Sequence, residues 1–226
     1  MNRTFNLFTN YYVDRQPNRQ YELEYCLVQN LKCSEIDRLF IVMNPKHQMH
    51  FIQMLLRNNV EHLNKKVKVI HYEKRPSYRT WFTLTNKYSS DNTLSCIANT
   101  DIFFDSENVS LIKNFDFTGN KCLALSRWDI HSDDKTNAKH YERSDSQDCW
   151  IVKSGFKDIK EAYFTLGIAG CDNRIAYLLN ENGYNVINPS KTIKSYHYHT
   201  SNVRNYINHS NVERLEPPYL QIKPTV

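Results

Sequence analysis

The chain has 226 residues, 40% of them hydrophobic and 23% charged, with a formal net charge of +5. That length and balance suit a globular chain with its own core, and exclude a disordered polymer, a coiled coil and a collagen-like fibre. Only 5 glycines and 7 prolines leave little room for a low-complexity linker, and no apolar run nears the length of roughly 20 residues that spans a bilayer. Met1 to Phe8 has neither the apolar stretch nor the small-residue cleavage site of a signal peptide, so a cytoplasmic protein is expected. The cysteines, Cys26, Cys33, Cys96, Cys122, Cys149 and Cys171, form no CxxC pair and read as buried thiols of a reducing compartment. Lys and Arg are dispersed, which suits a solvated surface or a groove for an anionic ligand, either nucleotide phosphates or nucleic acid.

Residues 5–12 read as a first strand, followed by a polar loop, 13–20, that carries Asp14, Arg15, Pro17, Asn18 and Arg19. Tyr21, Leu23, Leu27, Val28 and Leu31 recur at helical spacing. Residues 38–43 are a buried strand stopped by Pro45, and 47–57 an amphipathic helix. Residues 66–71 alternate as a strand, and 80–88 as a helix. The run 94–105 begins as a buried strand and ends in polar residues. A short helix over 106–113 and a strand over 121–128 follow. Residues 129–147 form a long polar loop, of the kind that is functional or mobile in a compact domain. A strand resumes at 148–152. Residues 172–182 are a helix closed by Asn182-Gly183. Short extended pieces lie at 186–187 and 194–199, and a polar tail runs from Thr200 to Val226. Alternating strands and helices predict an α/β fold with a central, mostly parallel sheet flanked by helices. In such a sheet the ligand sits at the carboxyl ends of the strands.

Four groups of residues could carry chemistry. Asn99 and Asp101 follow a buried strand, where a carboxylate suits a hard divalent ion that completes its shell with phosphate and water. The alternative is a strand-end cap. Asp172 shares a helix face with Ile175, Ala176 and Leu179, so it points to the core side. Desolvation there would raise its pKa toward general-base range, although a helix-start Asp can simply cap. His197 and His199 face one side of an extended strand and could ligate a metal or a phosphate, or be an ordinary surface pair. Arg75 and Arg79 precede or open a helix, a favourable place for an anion or a solvated pair.

These pieces occur in an order that resembles the A-type-fold glycosyltransferases. The strand ending in Asn99-Thr100-Asp101 is similar to their Asp-x-Asp metal motif. Gly170-Cys171-Asp172-Asn173-Arg174, the helix that ends in Gly183-Tyr184, then Pro189 and His197/His199 resemble the family 2 pattern. Ser126-Arg127-Trp128-Asp129 with Ser146-Gln147-Asp148-Cys149-Trp150 resembles short glycosyltransferase-like proteins of large algal and giant DNA viruses and some bacteria. The resemblance runs from residue 5 to about 206, which implies a catalytic unit over 1–206 and a tail over 207–226 that packs on it.

The resemblance implies a metal-dependent transfer of sugar from a nucleoside diphosphate sugar, a UDP-sugar by preference, to a hydroxyl of a glycan or glycoprotein. Asp101 would bind Mn²⁺ or Mg²⁺ with Asn99 nearby, and His197 or His199 would complete the site. Thr9, Tyr11, Arg75 and Arg79 would line the nucleotide pocket. Arg127, Trp128 and Asp148 would face sugar or acceptor, and Asp172 would be the base. Asn99 replaces the motif's first Asp and Cys171 replaces a Glu, so the stereochemistry stays open between inversion through Asp172 and retention through Asp148. A metal-dependent hydrolase or nucleotidyltransferase built on Asp101, His197 and His199 is one rival, and a nucleic-acid-binding module is another. Neither an HExxH motif nor a basic run supports them.

Overall fold

A computed structural model describes residues 3–200 and 214–226 of the chain. β1 (Thr4–Tyr11) sets Phe5 and Leu7 against one face and Asn6 and Phe8 against the other, and both faces are buried. That is the environment of a central strand in a parallel sheet. β2 (Arg38–Met43) lies parallel on one side of it, with β3 (Val67–His71) beyond, and β4 (Thr93–Ala98) lies parallel on the other. β6 (Lys121–Leu125), β9 (Cys149–Lys153) and β10 (Asn185–Ile187) complete a seven-stranded sheet in the order β10-β6-β9-β4-β1-β2-β3. β9 alone runs against its neighbours, antiparallel to both β4 and β6.

Helices cover both faces of this sheet. α1 (Pro17–Lys32), α2 (Gln48–Arg57) and α4 (Ser106–Asn114) turn Leu27, Leu31, Phe51, Met54, Val109 and Ile112 toward Phe5, Leu7 and Tyr11. α3 (Tyr78–Tyr88) and α5 (Cys171–Glu181) pack Trp81, Phe82, Ile175 and Leu179 against Phe8, Phe40 and Trp150. Fully burying each of these large apolar side chains contributes about 1.5–3 kcal/mol. Local chemistry sets the helix starts. Ser77 accepts from the Thr80 N–H at 3.2 Å and Asp105 from the Asn108 N–H at 3.1 Å, satisfying donors that the helix leaves free.

A second, four-stranded sheet stands at the edge of the first: β5 (Ile102–Phe103), β11 (Ser195–Tyr198), β7 (Arg127–Ile130) and β8 (Lys139–His140), in that order. β11 is parallel to β7, which sets His197 directly beside Asp129.

Several expectations shift. α1 begins at Pro17, not Tyr21, because a proline is well placed in the first turn, where its missing N–H costs nothing. The strand expected over 121–128 is two strands in different sheets. The chain turns at buried Ser126, whose hydroxyl donates to the carbonyls of Arg143 and Ser146 at 3.1 Å each. The segment 129–147 is not one loop, since it holds the end of β7, a 3₁₀ turn (Lys135–Asn137) and β8. All six cysteines are free and buried, as expected. The expected boundary at residues 206/207 lies outside the described residues. Residues 214–226 run along the fold, with Leu220 N–H donating to Asn173 O at 3.0 Å and Ile222 N–H to Ser144 O at 2.8 Å. Among the described residues no helix is long and apolar enough to cross a membrane.

Candidate functional site

The strand order reverses at β1: its sequence neighbour β2 lies on one side and β4 on the other. Open α/β sheets bind ligands outside the carboxyl ends of the strands at such a point. Here β1 ends in Asn10 and Tyr11 and leads into Tyr12, and β4 leads into Asn99, Thr100 and Asp101. The Thr100 hydroxyl joins them by donating to Asn10 Oδ1 at 2.7 Å. Because β9 runs antiparallel, its first residues come to the same end, and Ala98 pairs with Cys149. Asp148 thereby lies beside Asn99. β6 also finishes there and hands the chain to Arg127.

Charged side chains alternate across this edge. Glu22 accepts from Arg19 at 2.9 Å, and Arg19 donates its other terminal nitrogen to Asp101 Oδ2. His197 Nε2 lies 3.3 Å from the same oxygen, and its Nδ1 lies 2.7 Å from Asp129 Oδ1. Arg127 donates its Nε–H to that Asp129 oxygen at 2.8 Å and a terminal N–H to Asp148 Oδ2 at 3.4 Å, with its guanidinium over the Tyr141 ring. The Asn99 amide donates to Asp148 Oδ1 at 3.0 Å. Burial would raise the Asp101 carboxyl, but His197 and Arg19 outweigh it and hold it well below the usual carboxylate range. Burial likewise disfavours charge on His197, yet Asp101 and Asp129 outweigh it and raise the imidazole to about 9. Asp129 is lowered by His197 and Arg127 against the effect of its own burial.

Asp172 stands next to this chain of charges, in the first turn of α5. Its Oδ2 accepts weakly from the Gln147 N–H at 3.4 Å, and its Oδ1 faces the Cys171 thiol at 3.2 Å. Burial and the nearby Asp148 carboxylate push its pKa up to about 7. The edge therefore holds a carboxylate locked in its charged form, Asp101, and another poised near neutrality, Asp172. That division suits cation binding at one and proton transfer at the other.

The expected divalent ion can be tested on this donor set. Asp129 accepts from His197 Nδ1, the carboxylate–histidine pairing that orients a metal-ligating imidazole. Nε2 then faces Asp101 Oδ2 at 3.3 Å. Adjacent ligands of a six-coordinate ion bound at 2.0–2.1 Å stand about 3 Å apart. Asp101 and His197 thus have the spacing of two protein ligands, provided that His197, whose imidazole is raised to about 9, gives up its Nε2 proton when the ion arrives. His199 does not join them: its ring stacks on His197 at 5.1 Å, and its Nδ1 lies 3.5 Å from Glu22. Among the described residues no three His, Cys, Asp or Glu side chains converge to hold a metal. Any bound ion would take its remaining ligands from phosphate and water.

Of the remaining expected residues, Arg75 lies at this edge. It interacts electrostatically with Tyr12, and its guanidinium abuts Gly167, whose positive φ of 78° suits a residue without Cβ. Thr9 and Tyr11 stand apart, on the same face of β1 as Phe5 and Leu7, where the Tyr11 hydroxyl meets His50 Nδ1 at 2.7 Å. The next residue, Tyr12, is the one whose hydroxyl is raised by burial and by Asp101. Trp128 alternates to the side of β7 away from Arg127, donates to Ser190 O at 2.7 Å and stacks on His140. Arg79 is exposed and pairs with Asp158 at 3.0 Å, outside the cluster. Sequence reasoning did not single out Arg19, Glu22 or Asp129. The signal for the first two was Pro17, which places Arg19 in the first turn and Glu22 three residues later on the same helix face. A cavity of about 650 Å³ between Thr118, Lys121, Lys153 and Tyr184 opens at the other end of the sheet and is lined by none of the acidic network.

No protein-family model and no curated protein matches the chain. Solved structures do. A mannosyltransferase from Pyrobaculum calidifontis, in complex with GDP-Man and Mn²⁺, aligns over 91% of this chain at 10% identity with a TM-score of 0.56. This chain spans 59% of that protein's length. A 4-diphosphocytidyl-2C-methyl-D-erythritol synthase from Anaerococcus prevotii (11% identity, 82% of this chain and 89% of that one) reaches 0.48. A putative glucose-1-phosphate thymidylyltransferase from Bacillus anthracis (10% identity, 82% and 86%) also reaches 0.48. At these identities the likeness is one of fold: a mixed α/β architecture whose seven-stranded, mostly parallel sheet is flanked by helices.

Proposed function

We propose that the chain is a glycosyltransferase that moves sugar from a nucleoside diphosphate sugar to a hydroxyl of a glycan or glycoprotein acceptor. One observation carries this: Asp101, paired with Arg19 and His197, and Asp172, which accepts from the Gln147 N–H, share the carboxyl end of the sheet at its switch point with Arg127 and Asp148. Burial and Asp148 raise the Asp172 carboxyl. The mannosyltransferase likeness supports the reading, and its GDP-Man and Mn²⁺ make GDP-sugars candidates beside UDP-sugars. Asp101 and His197 would hold Mn²⁺ or Mg²⁺. That ion, when bound, would offset the negative charge growing on the departing nucleoside diphosphate. Arg19 and Arg75 would contact the diphosphate, with Tyr12 beside it. Arg127, held by Asp129 and Asp148, would face the sugar. Asp172 would take the acceptor proton, help worth about 10²–10⁴ in rate. Residues 1–206 would form the catalytic unit and 207–226 a tail against it.

The test is a panel of UDP- and GDP-sugars, with product followed by NMR. Release of nucleoside diphosphate with formation of a glycoside or free sugar is expected. Release of pyrophosphate from a nucleoside triphosphate and a sugar phosphate, with no sugar transfer, would instead mark a nucleotidyltransferase and end this reading. The anomeric configuration of the product decides between inversion and retention.

A further inference from the structure

The Asp101 oxygen that faces His197 is already held by Arg19. We infer that Arg19 stands in for a divalent cation in the free protein, and that it yields Asp101 only when a diphosphate arrives to receive its guanidinium. The inference rests on the sugar-nucleotide reading above and assigns an order of binding to it.

Arg19 is well confined. Its side chain is 12% exposed and sits in the first turn of α1, between Asp101 and Glu22. Glu22 is wholly buried and also accepts the Thr200 N–H at 2.6 Å. Among the described residues of the cluster the guanidinium therefore has no second unengaged carboxylate. A dication on Asp101 and His197 would stand against a confined positive charge that has lost half of its ion pairing. Like charges at such range in a poorly solvated place are strongly unfavourable. The same guanidinium presents a planar fork of donors that matches phosphate oxygens. A diphosphate bound across the switch point would supply the anion that Arg19 loses, and would itself be a ligand to the dication. The two ligands should then bind with positive coupling, because each removes the other's repulsive cost. The device suppresses capture of free metal by the empty site and ties assembly of the charge-stabilising centre to the donor.

The test compares the unsubstituted chain with Arg19→Gln, measuring Mn²⁺ affinity by the electron paramagnetic resonance of free Mn²⁺, alone and with saturating UDP or GDP. In the unsubstituted chain, nucleoside diphosphate should tighten Mn²⁺ about tenfold or more, within the usual range of coupling between sites. Arg19→Gln should bind Mn²⁺ alone about tenfold tighter than the unsubstituted chain and show weaker coupling to the nucleotide. Equal Mn²⁺ affinity of the two proteins without nucleotide overturns the role of Arg19. Failure of the unsubstituted chain to bind UDP or GDP under any metal condition removes the sugar-nucleotide reading instead, while the metal-only comparison still reports on the competition at Asp101. Should Arg19→Gln not fold, paramagnetic broadening of the His197 ring signals in the unsubstituted chain decides the matter. Broadening only with Mn²⁺ and nucleoside diphosphate together supports the order, and equal broadening by Mn²⁺ alone refutes it.

Discussion

Asn99 and Asp148 meet twice, backbone to backbone and side chain to side chain. The Asn99 N–H donates to the Asp148 carbonyl at 3.0 Å, and the Asn99 amide to its carboxylate at 3.0 Å. The residue that departs from an Asp-x-Asp pattern thus ties both of these N–H donors to the residue that leads into the neighbouring strand. Asn99→Asp, which restores the pattern on paper, would set two carboxylates in contact beside Asp172. It should lower stability by about 1–3 kcal/mol, the cost of turning a partly buried hydrogen bond into an unpaired, repelled group. Mn²⁺ affinity should not improve. Urea unfolding and metal titration check both, and a stable variant with tighter Mn²⁺ would show that the motif does act through position 99.

Asp172 makes stability depend on pH in a specific direction. Its pKa is about 7 folded against an ordinary value of 3.8. Between those values the folded chain binds the extra proton, so stability is greatest below the lower one and falls as pH rises toward and through 7. The slope contributed by this group approaches about 1.4 kcal/mol per pH unit, reduced by whatever solvent reaches it. Asp172→Asn should abolish that contribution, being more stable than the parent at pH 8 and similar at pH 4. It should also keep nucleotide binding and lose turnover. Parallel unfolding profiles for the two proteins across this range would contradict the assignment.

Asp101→Ala should remove Mn²⁺-dependent protection by UDP or GDP in thermal unfolding, because ligand stabilisation disappears with the binding it reports. The variant should also melt below the parent even without ligands, since Arg19 and His197 lose their shared carboxylate. An unchanged nucleotide-dependent shift would remove Asp101 from the site.

Gly167→Ala should weaken donor binding through Arg75. The backbone there has φ of 78°, and an added Cβ would lie 2.6 Å from the Arg75 guanidinium. The left-handed conformation costs a residue with Cβ about 1–2 kcal/mol, and the arginine must shift besides. Isothermal titration with UDP and GDP should show reduced affinity. Arg79→Ala is the counterpart. Its partner is the exposed Asp158, so affinity and stability should both stay at the parent level.

The order of strands and helices was legible because their apolar residues repeat at periods of 2 and 3.6, and the sheet's ligand-binding end followed from that order. Asp101 was singled out as a carboxylate at the end of an apolar strand, Asp172 from its place on an apolar helix face and His197 from strand alternation, whereas Asp148 came only from the family resemblance. Other parts were not legible. Choosing between Tyr11 and Tyr12 depends on where β1 releases the chain: one residue earlier the ring is locked against Phe51 and His50, one later it turns toward Asp101. Asp129 looked like the first residue of a loop. Its role depends on pairing with a strand 68 residues away, a register that local composition does not encode. Arg19 was hidden by a misplaced helix start, although Pro17 marked the true one. His199 looked equivalent to His197 by alternation, but the strand ends at Tyr198 and the second ring falls back on the first.

The lone reversed strand has a mechanical consequence. β9 is clasped on both sides, so Asp148 can be delivered to its partners in one alignment only. A slip by a single residue would carry it about 3.4 Å along the strand axis and exchange inward for outward side chains, driving Trp150 out of its pocket. Hydrophobic fit of an indole thus acts as a ruler for the spacing of charges a few residues away. Substitutions that loosen Trp150 should therefore misalign Asp148 and impair catalysis well before they unfold the chain.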